Sequence, residues 1–317
     1  MPRILPRGEI EGLDHTSIPR LRLPERTSLF KDRAQRLRQL ATEHPAAGYL
    51  ELLAHLADGQ QLVLNHLEPA PLSPAAIDTA HTHRMPPLLA SSWPREASWH
   101  TSLAQLMQHM LNVSTLPSEA QGVCQTILTA CTEQPQQLEQ LAESVLRGQL
   151  GPNEPAAWAP FVMAALQVHW TNLLTSLKET DIPMGTPFGV CPSCGTLPLS
   201  SIVRIGGRQD GCRYLCCPLC ALEWHLVRVT CSHCESTKNI YYHEIEDGPA
   251  GIKAESCDHC HSYRKIFYQE KQLGVDPVAD DLASLALDVL MGEEGYGRVQ
   301  GNPLLWQAHA DPDPVVS

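Results

Sequence analysis

The chain has 317 residues with 12 cysteines and 26 prolines, a length that allows two domains of ordinary size in place of one core. Its 23 Lys and Arg against 35 Asp and Glu give a formal charge of -12, which argues against a phosphate-backbone binder. The longest nearly uncharged apolar stretch, Ala156 to Val168, holds a proline and falls short of the ~18 residues of a membrane span, and residues 1–11 read as no export signal; a soluble, cytoplasmic protein with reduced thiols is expected.

From the N-terminus the apolar spacing is three and four, the helical period. Thr27-Ser28 can cap a helix carrying Leu29, Phe30, Ala34, Leu37 and Leu40 that ends before Pro45. A second runs from Leu52 to Leu67 with a weak point expected at Gly59, and the proline-rich stretch Pro69–Pro94 follows as a long connection. Ser98 and Ser118 can cap two further helices, one with Trp99, Leu103, Leu106 and Met110, the other with Val123, Ile127 and Cys131. Leu138, Leu141, Val145 and Leu146 mark a fifth that stops at Gly148. The sixth, with Trp158, Val162, Leu166, His169, Trp170 and Leu173, is the most apolar and is expected at the centre of a bundle, with His169 a core histidine. Two prolines and two glycines between Asp181 and Gly189 interrupt regular structure and mark a domain break.

Ten of the 12 cysteines then fall between Cys191 and Cys260. Eight of them form four Cys-x-x-Cys knuckles: Cys191 and Cys194, Cys217 and Cys220, Cys231 and Cys234, Cys257 and Cys260. The gaps decide the reading, because a shift of 40 positions carries the first four cysteines onto the last four. Two Cys residues two apart in a tight turn can face one ion, and Gly195 suits that turn because it permits positive φ. A second knuckle across a strand hairpin completes a tetrahedral four-cysteine site, as in zinc ribbons and rubredoxin-type iron. Leu199 to Ile205 and Arg213 to Leu215 read as one hairpin, Ile240 to His243 and Ile252 to Ala254 as its repeat. Sequential pairing is favoured over a cross-braced one, since each span, 191–220 and 231–260, is complete in itself.

Other signals are discounted. Cys257-Asp-His-Cys260-His261 matches a haem-attachment pattern, but the repeat already claims both cysteines. Cys216, beside Cys217, reads as a strand residue ahead of a substitute ligand or redox partner, Cys212 is left over, and Cys124 and Cys131 read as small apolar packing residues. His81-x-His83 makes a weak metal motif. Arg204, Arg208, Arg213, Arg228, Lys238, Lys253, Arg264 and Lys265, accompanied by ten acidic residues, read as a mixed surface. No phosphate-binding glycine loop, nucleophile elbow or His-Glu-x-x-His helix is present, so nothing argues positively for an enzyme.

These motifs together resemble the formate dehydrogenase accessory protein FdhE family. The resemblance rests on Cys191-Pro-Ser-Cys194-Gly195, on Arg213 to Trp224 running into Arg228-Val-Thr-Cys231-Ser-His-Cys234, on Ala254-Glu-Ser-Cys257-Asp-His-Cys260, and on Ala279 to Leu285, Leu287-Asp288, Gly297-Arg298 and Gly301-Asn302-Pro303. It implies a cytoplasmic, non-enzymatic maturation factor for a respiratory formate dehydrogenase, with the catalytic subunit as partner. It also implies a helical domain followed by two rubredoxin-like modules that hold iron on the eight knuckle cysteines, zinc being the alternative. The expected fold is therefore α plus small β: an all-α domain over residues 1–185, four-cysteine modules over 186–228 and 229–270, and a C-terminal helix and tail over 271–317. The helical domain and an acidic tail around Asp280, Asp281 and Asp288 are candidates for gripping the client, with Asp280-Asp281 equally readable as a pair at a helix N-terminus. Two rival functions are a rubredoxin-like electron-transfer protein and a zinc-ribbon nucleic-acid binder, the latter disfavoured by charge. Self-association stays open.

Overall fold

The computed structural model describes residues 18–95 and 97–305; the stretch read as lacking an export signal and the last part of the tail lie outside the described residues. The helices are α1 (Leu29–Ala41), α2 (Ala47–His66), α3 (Pro74–His83), α4 (Ser98–Leu111), α5 (Ser118–Glu133), α6 (Pro135–Arg147) and α7 (Ala159–Leu174). The apolar positions read as a stripe are the buried ones, as with Phe30, Ala34 and Leu37 on α1. Helix α7 is buried on nearly every side, from Phe161 through Trp170 to Leu174, and packs against α2, α4 and α6 as the centre of the bundle. Helix α6 ends where expected, with Gly148 left-handed at φ 69°.

Three details depart from the expectations. Helix α2 runs straight through Gly59, because the missing side chain makes room for α4: a Cβ there would lie 2.8 Å from His109 Cδ2. The proline-rich connection contains α3, whose start is capped by Ser73, with its hydroxyl accepting from Ala76 N–H, and by Pro74 at the first helical position. Ser28 does not cap the backbone of α1; its hydroxyl donates to Asp32 one turn on.

From Ser200 onward the chain supplies seven strands which, joined by one from near the N-terminus, make a single eight-stranded sheet among the described residues. Strands β1 (Leu21–Arg22), β2 (Ser200–Val203), β3 (Arg213–Cys216), β4 (Glu223–His225), β5 (Ile240–His243), β6 (Ile252–Cys257) and β7 (Ser262–Tyr268) lie in the order β1-β4-β3-β2-β7-β6-β5, and β8 (Gly297–Arg298) pairs with β7. The 40-residue repeat survives as structure, since β2, β3 and β4 shifted by 40 fall on β5, β6 and β7. Each unit is therefore a three-stranded antiparallel meander, one strand more than the hairpin expected, and the knuckles sit at its open end. The two units are not merely adjacent. Strand β2 pairs with β7 in parallel, Ser201 opposite Ile266 and Val203 opposite Tyr268, which fuses them into one sheet. The N-terminal strand β1 closes the outer edge of β4.

The helical core continues without interruption into the first unit, taking in Cys191, Cys194, Leu199, Leu215, Cys217, Leu219, Cys220 and Trp224. The opposite side of the sheet has a smaller core of Ile202, Tyr214, Cys216, Ile252, Tyr263 and Phe267. Two short helices, α8 (Ala279–Leu282) and α9 (Leu285–Glu293), replace the single C-terminal helix anticipated, and the Ser284 hydroxyl donates to Asp280 C=O at the break. Asp280 and Asp281 are completely buried: Asp280 takes a fork from Arg36 on α1, while Asp281 and Asp288 receive Lys265 and Arg298. Those carboxylates hold the sheet to the helices, so an exposed acidic grip is not what they form. Arg213, Arg264 and Lys265 are likewise buried, which removes them from the mixed surface expected of the ribbons. No described helix is long and apolar enough to cross a membrane.

Candidate metal centres

Each knuckle is built by its backbone. At the first, Gly195 N–H donates to Cys191 C=O (2.8 Å) and Cys191 N–H to Thr196 C=O (2.8 Å); forty residues on, Glu235 N–H donates to Cys231 C=O (3.1 Å) and Cys231 N–H to Ser236 C=O (2.8 Å). The residue after each of the four knuckles is left-handed: Gly195 at φ 75°, Ala221 at 61°, Glu235 at 62° and His261 at 50°. Only the first is a glycine. A left-handed Cβ costs roughly 1 kcal/mol, so three of these turns hold a strained residue against local preference, and sequence signalled only Gly195. N–H groups of the turns point at sulfur, with Leu219 and Cys220 donating to Cys217 Sγ at 3.4 Å each and His233 to Cys231 Sγ at 3.4 Å.

The eight sulfurs gather sequentially, not crosswise. Cys191, Cys194, Cys217 and Cys220 form one group and Cys231, Cys234, Cys257 and Cys260 the other, the ligand atoms in each within 4.8 Å of one another. Nearest separations are 3.6 Å (Cys191 to Cys220), 3.4 Å (Cys194 to Cys217) and 3.7 Å (Cys231 to Cys260 and Cys234 to Cys257). A disulfide needs about 2.05 Å, whereas a tetrahedral ion with metal–sulfur bonds of about 2.3 Å sets sulfurs roughly 3.8 Å apart. The donor sets therefore fit a four-coordinate metal and do not fit disulfides. Cys216, adjacent to Cys217, faces the opposite side of the sheet with Ile202 and Tyr214, and Cys212 packs beside it, so both stand apart from the groups.

The environments differ. The first group is sealed, with Cys191, Cys194 and Cys220 fully buried and Cys217 at 3% exposure. The helical half grips it through backbone: Leu88 N–H donates to Ser193 C=O (2.8 Å), Ala90 N–H to Cys194 C=O (2.9 Å), and Gln167 of α7 donates to Pro218 C=O (2.8 Å). Trp170 Nε1 anchors the same segment at Leu88 C=O (3.0 Å). In the second group Cys234 and Cys260 are part-exposed. Its buried side carries Arg264, whose Nε donates to Ser232 Oγ at 2.7 Å while both Nη atoms have no partner among the described residues. Burial and the neighbouring Arg213 and Arg298 charges pull its pKa down to about 9, so it stays cationic at neutral pH. Four thiolates around a divalent ion carry two net negative charges, and a guanidinium beside Cys231 and Cys257 offsets part of that charge. Sequence reasoning placed Arg264 on the surface and missed it; no local pattern separates a buried strand arginine from an exposed one. Arg213 is also buried and reaches across the units to Glu255 on β6 at 2.6 Å.

Comparison with known sequences and structures places these features in a wider set. The family description "FdhE, N-terminal" matches residues 18–186, "FdhE, central domain" residues 190–228 and "FdhE, C-terminal domain" residues 229–305. Among curated proteins, "Protein FdhE homolog" of Stutzerimonas stutzeri is 38% identical over 96% of this chain and 98% of its own length. "Protein FdhE" of Salmonella enteritidis is 36% identical over 98% and 99%. The crystal structure of the FdhE protein from Pseudomonas aeruginosa superposes with a TM-score of 0.80 at 38% identity, covering 90% of this chain and 99% of that one.

Proposed function

Since the chain belongs to the FdhE family, we propose that it is an accessory factor needed to form an active respiratory formate dehydrogenase, acting in the cytoplasm on the catalytic subunit and performing no catalysis of its own. The observation that carries this reading is the pair of four-sulfur groups, repeated 40 residues apart, in a chain alike to FdhE proteins over nearly its whole length. In this reading residues 186–228 and 229–270 are two metal modules behind a helical domain. Cys191, Cys194, Cys217 and Cys220 hold one ion, and Cys231, Cys234, Cys257 and Cys260 the other. Iron is the metal proposed: four thiolates hold both its Fe(II) and Fe(III) forms, chemistry that zinc lacks. The sealing of the first group supports a structural role for it, since closed four-ligand sites contribute folding free energy directly.

Two experiments test the reading. Affinity capture of the formate dehydrogenase catalytic subunit by this chain, with loss of enzyme activity on deletion, is the expected result; normal activity after deletion with no capture would sink the proposal. Metal analysis of protein purified without oxygen should give near two irons per chain and thiolate-to-iron absorption that changes reversibly on oxidation. Two zincs and no colour would leave the ribbons as structural platforms.

A further inference from the structure

A cleft of about 460 Å³ separates α1 from the sheet, bounded by β1 on one side and residues 273–278 on the other, with Cys216 and Cys217 among its walls. Its inner carboxylates are already engaged. Glu223 accepts from Arg22 Nε (3.1 Å) and from the Arg204 fork, and Asp276 accepts from Arg33 Nε (3.2 Å) and from the N–H groups of Val278 and Ala279. Glu25 and Asp32 stand exposed at the rim.

Donors, by contrast, are left over. Arg33 is only 4% exposed, yet it spends Nε alone on Asp276, and no described residue gives its two Nη groups a hydrogen-bond acceptor. The same holds for both Nη groups of Arg22 and for Arg204 Nη1. Gln269 accepts Ile205 N–H through Oε1, which leaves its amide NH2 available. Arg36 is spent on Asp280, Gln272 and Gln39, but Arg33 and Arg22, whose guanidiniums lie over the Phe30 and Tyr214 rings, and Arg204 through Nη1 keep spare donor capacity for an acceptor-rich guest.

We propose that this cleft binds a ligand through an oxyanion, carboxylate or phosphate, held by the free N–H groups of Arg33, Arg22 and Arg204. Guanidinium forks match two oxygens of such a group, and the desolvated position of Arg33 strengthens the bond it makes. The occupant lies alongside Cys217, the one member of the sealed first group that lines this cleft. The assignment stands apart from the accessory role and survives its failure.

Calorimetry on the full, metal-loaded chain tests it, with inorganic phosphate and with succinate as probes at an ionic strength fixed by chloride. Saturable one-to-one binding is expected, weakened tenfold or more in Arg22→Gln and Arg33→Lys and unchanged in Arg38→Gln, an α1 residue outside the cleft whose guanidinium pairs with Asp58 on α2. Tighter phosphate points to a phosphorylated ligand, tighter succinate to a carboxylate. Should Arg33→Lys fail to fold, Arg22→Gln carries the test, because that side chain is 31% exposed and its loss leaves Glu223 paired with Arg204. Absence of saturable heat from either probe overturns the proposal, as does equal affinity in a folded Arg22→Gln variant.

Discussion

The two four-sulfur groups share a repeat, a turn geometry and a strand frame, and they differ in what surrounds them. The first is walled by the helical core and tied to α7 through Gln167. The second opens Cys234 and Cys260 partly to solvent and has a buried arginine where the first has apolar side chains. Identical local chemistry thus acquires two grades of protection from tertiary context, and the grade sets how far loss of a ligand spreads.

The largest expected effect tests that spread. Cys194→Ser should cost on the order of 5 kcal/mol or more and lower the melting of the helices along with the first centre, because the site's binding free energy is also folding free energy. Cys234→Ser should lose one equivalent of metal while helical circular dichroism melts within a few degrees of the parent. The same order should hold for a chelator, which should strip the second centre first. Equal losses in the two variants would abolish the distinction.

Next comes the tie between the units. Arg213→Met leaves Glu255 buried with Tyr242 as its remaining described side-chain hydrogen-bond donor and should cost about 3–5 kcal/mol in chemical denaturation. Replacing both partners, Arg213→Met with Glu255→Leu, should recover most of that, since an apolar pair of similar volume is often neutral. A double variant as unstable as the single one would assign Arg213 a role beyond the pair.

Gln167→Leu probes the grip on the first centre alone. It orphans Pro218 C=O and takes one of two acceptors from the Gln60 amide, which keeps Ala164 C=O, and should cost about 2 kcal/mol while speeding metal loss from the first centre only.

The smallest effect is an acid one on the same helix. Burial, with Arg95 nearby, holds His169 at a pKa of about 4 against 6.5 for the free side chain, and its buried Nε2 has no partner among the described residues. The native state therefore keeps the ring neutral while the unfolded chain takes up the proton. Stability should fall as pH drops from about 6.5 towards 4, by about 2 kcal/mol between pH 7 and 5, and level off below. His169→Phe should flatten that part of the denaturation profile, and an unchanged slope would remove His169 from it.

Much of this was legible in the sequence for reasons that differ by element. Helical stripes, Gly148 as a stop and the eight knuckle cysteines are local or periodic signals, and each is found where its spacing put it. Strand β4 was hidden because Glu223-Trp224-His225 is three residues long, and β1 because its two residues become a strand only against Trp224, some two hundred positions away. Pairing of β2 with β7 leaves no trace in either segment. Asp280 and Asp281 read as surface acids because burial of a carboxylate depends on partners such as Arg36 and Lys265 from remote elements.

The parallel pairing of β2 with β7 also sets a schedule for synthesis. Ser201 and Ile266 lie 65 positions apart in the chain. At a ribosomal pace of roughly 5–20 residues per second, the β2 edge waits about 3–13 seconds for its neighbour. Through that interval the nascent chain presents a strand edge with open hydrogen-bonding groups beside an apolar surface, the feature through which sheets recruit foreign strands. The vulnerable species in the life of this protein is thus a half-made one, and it ends when β7 docks.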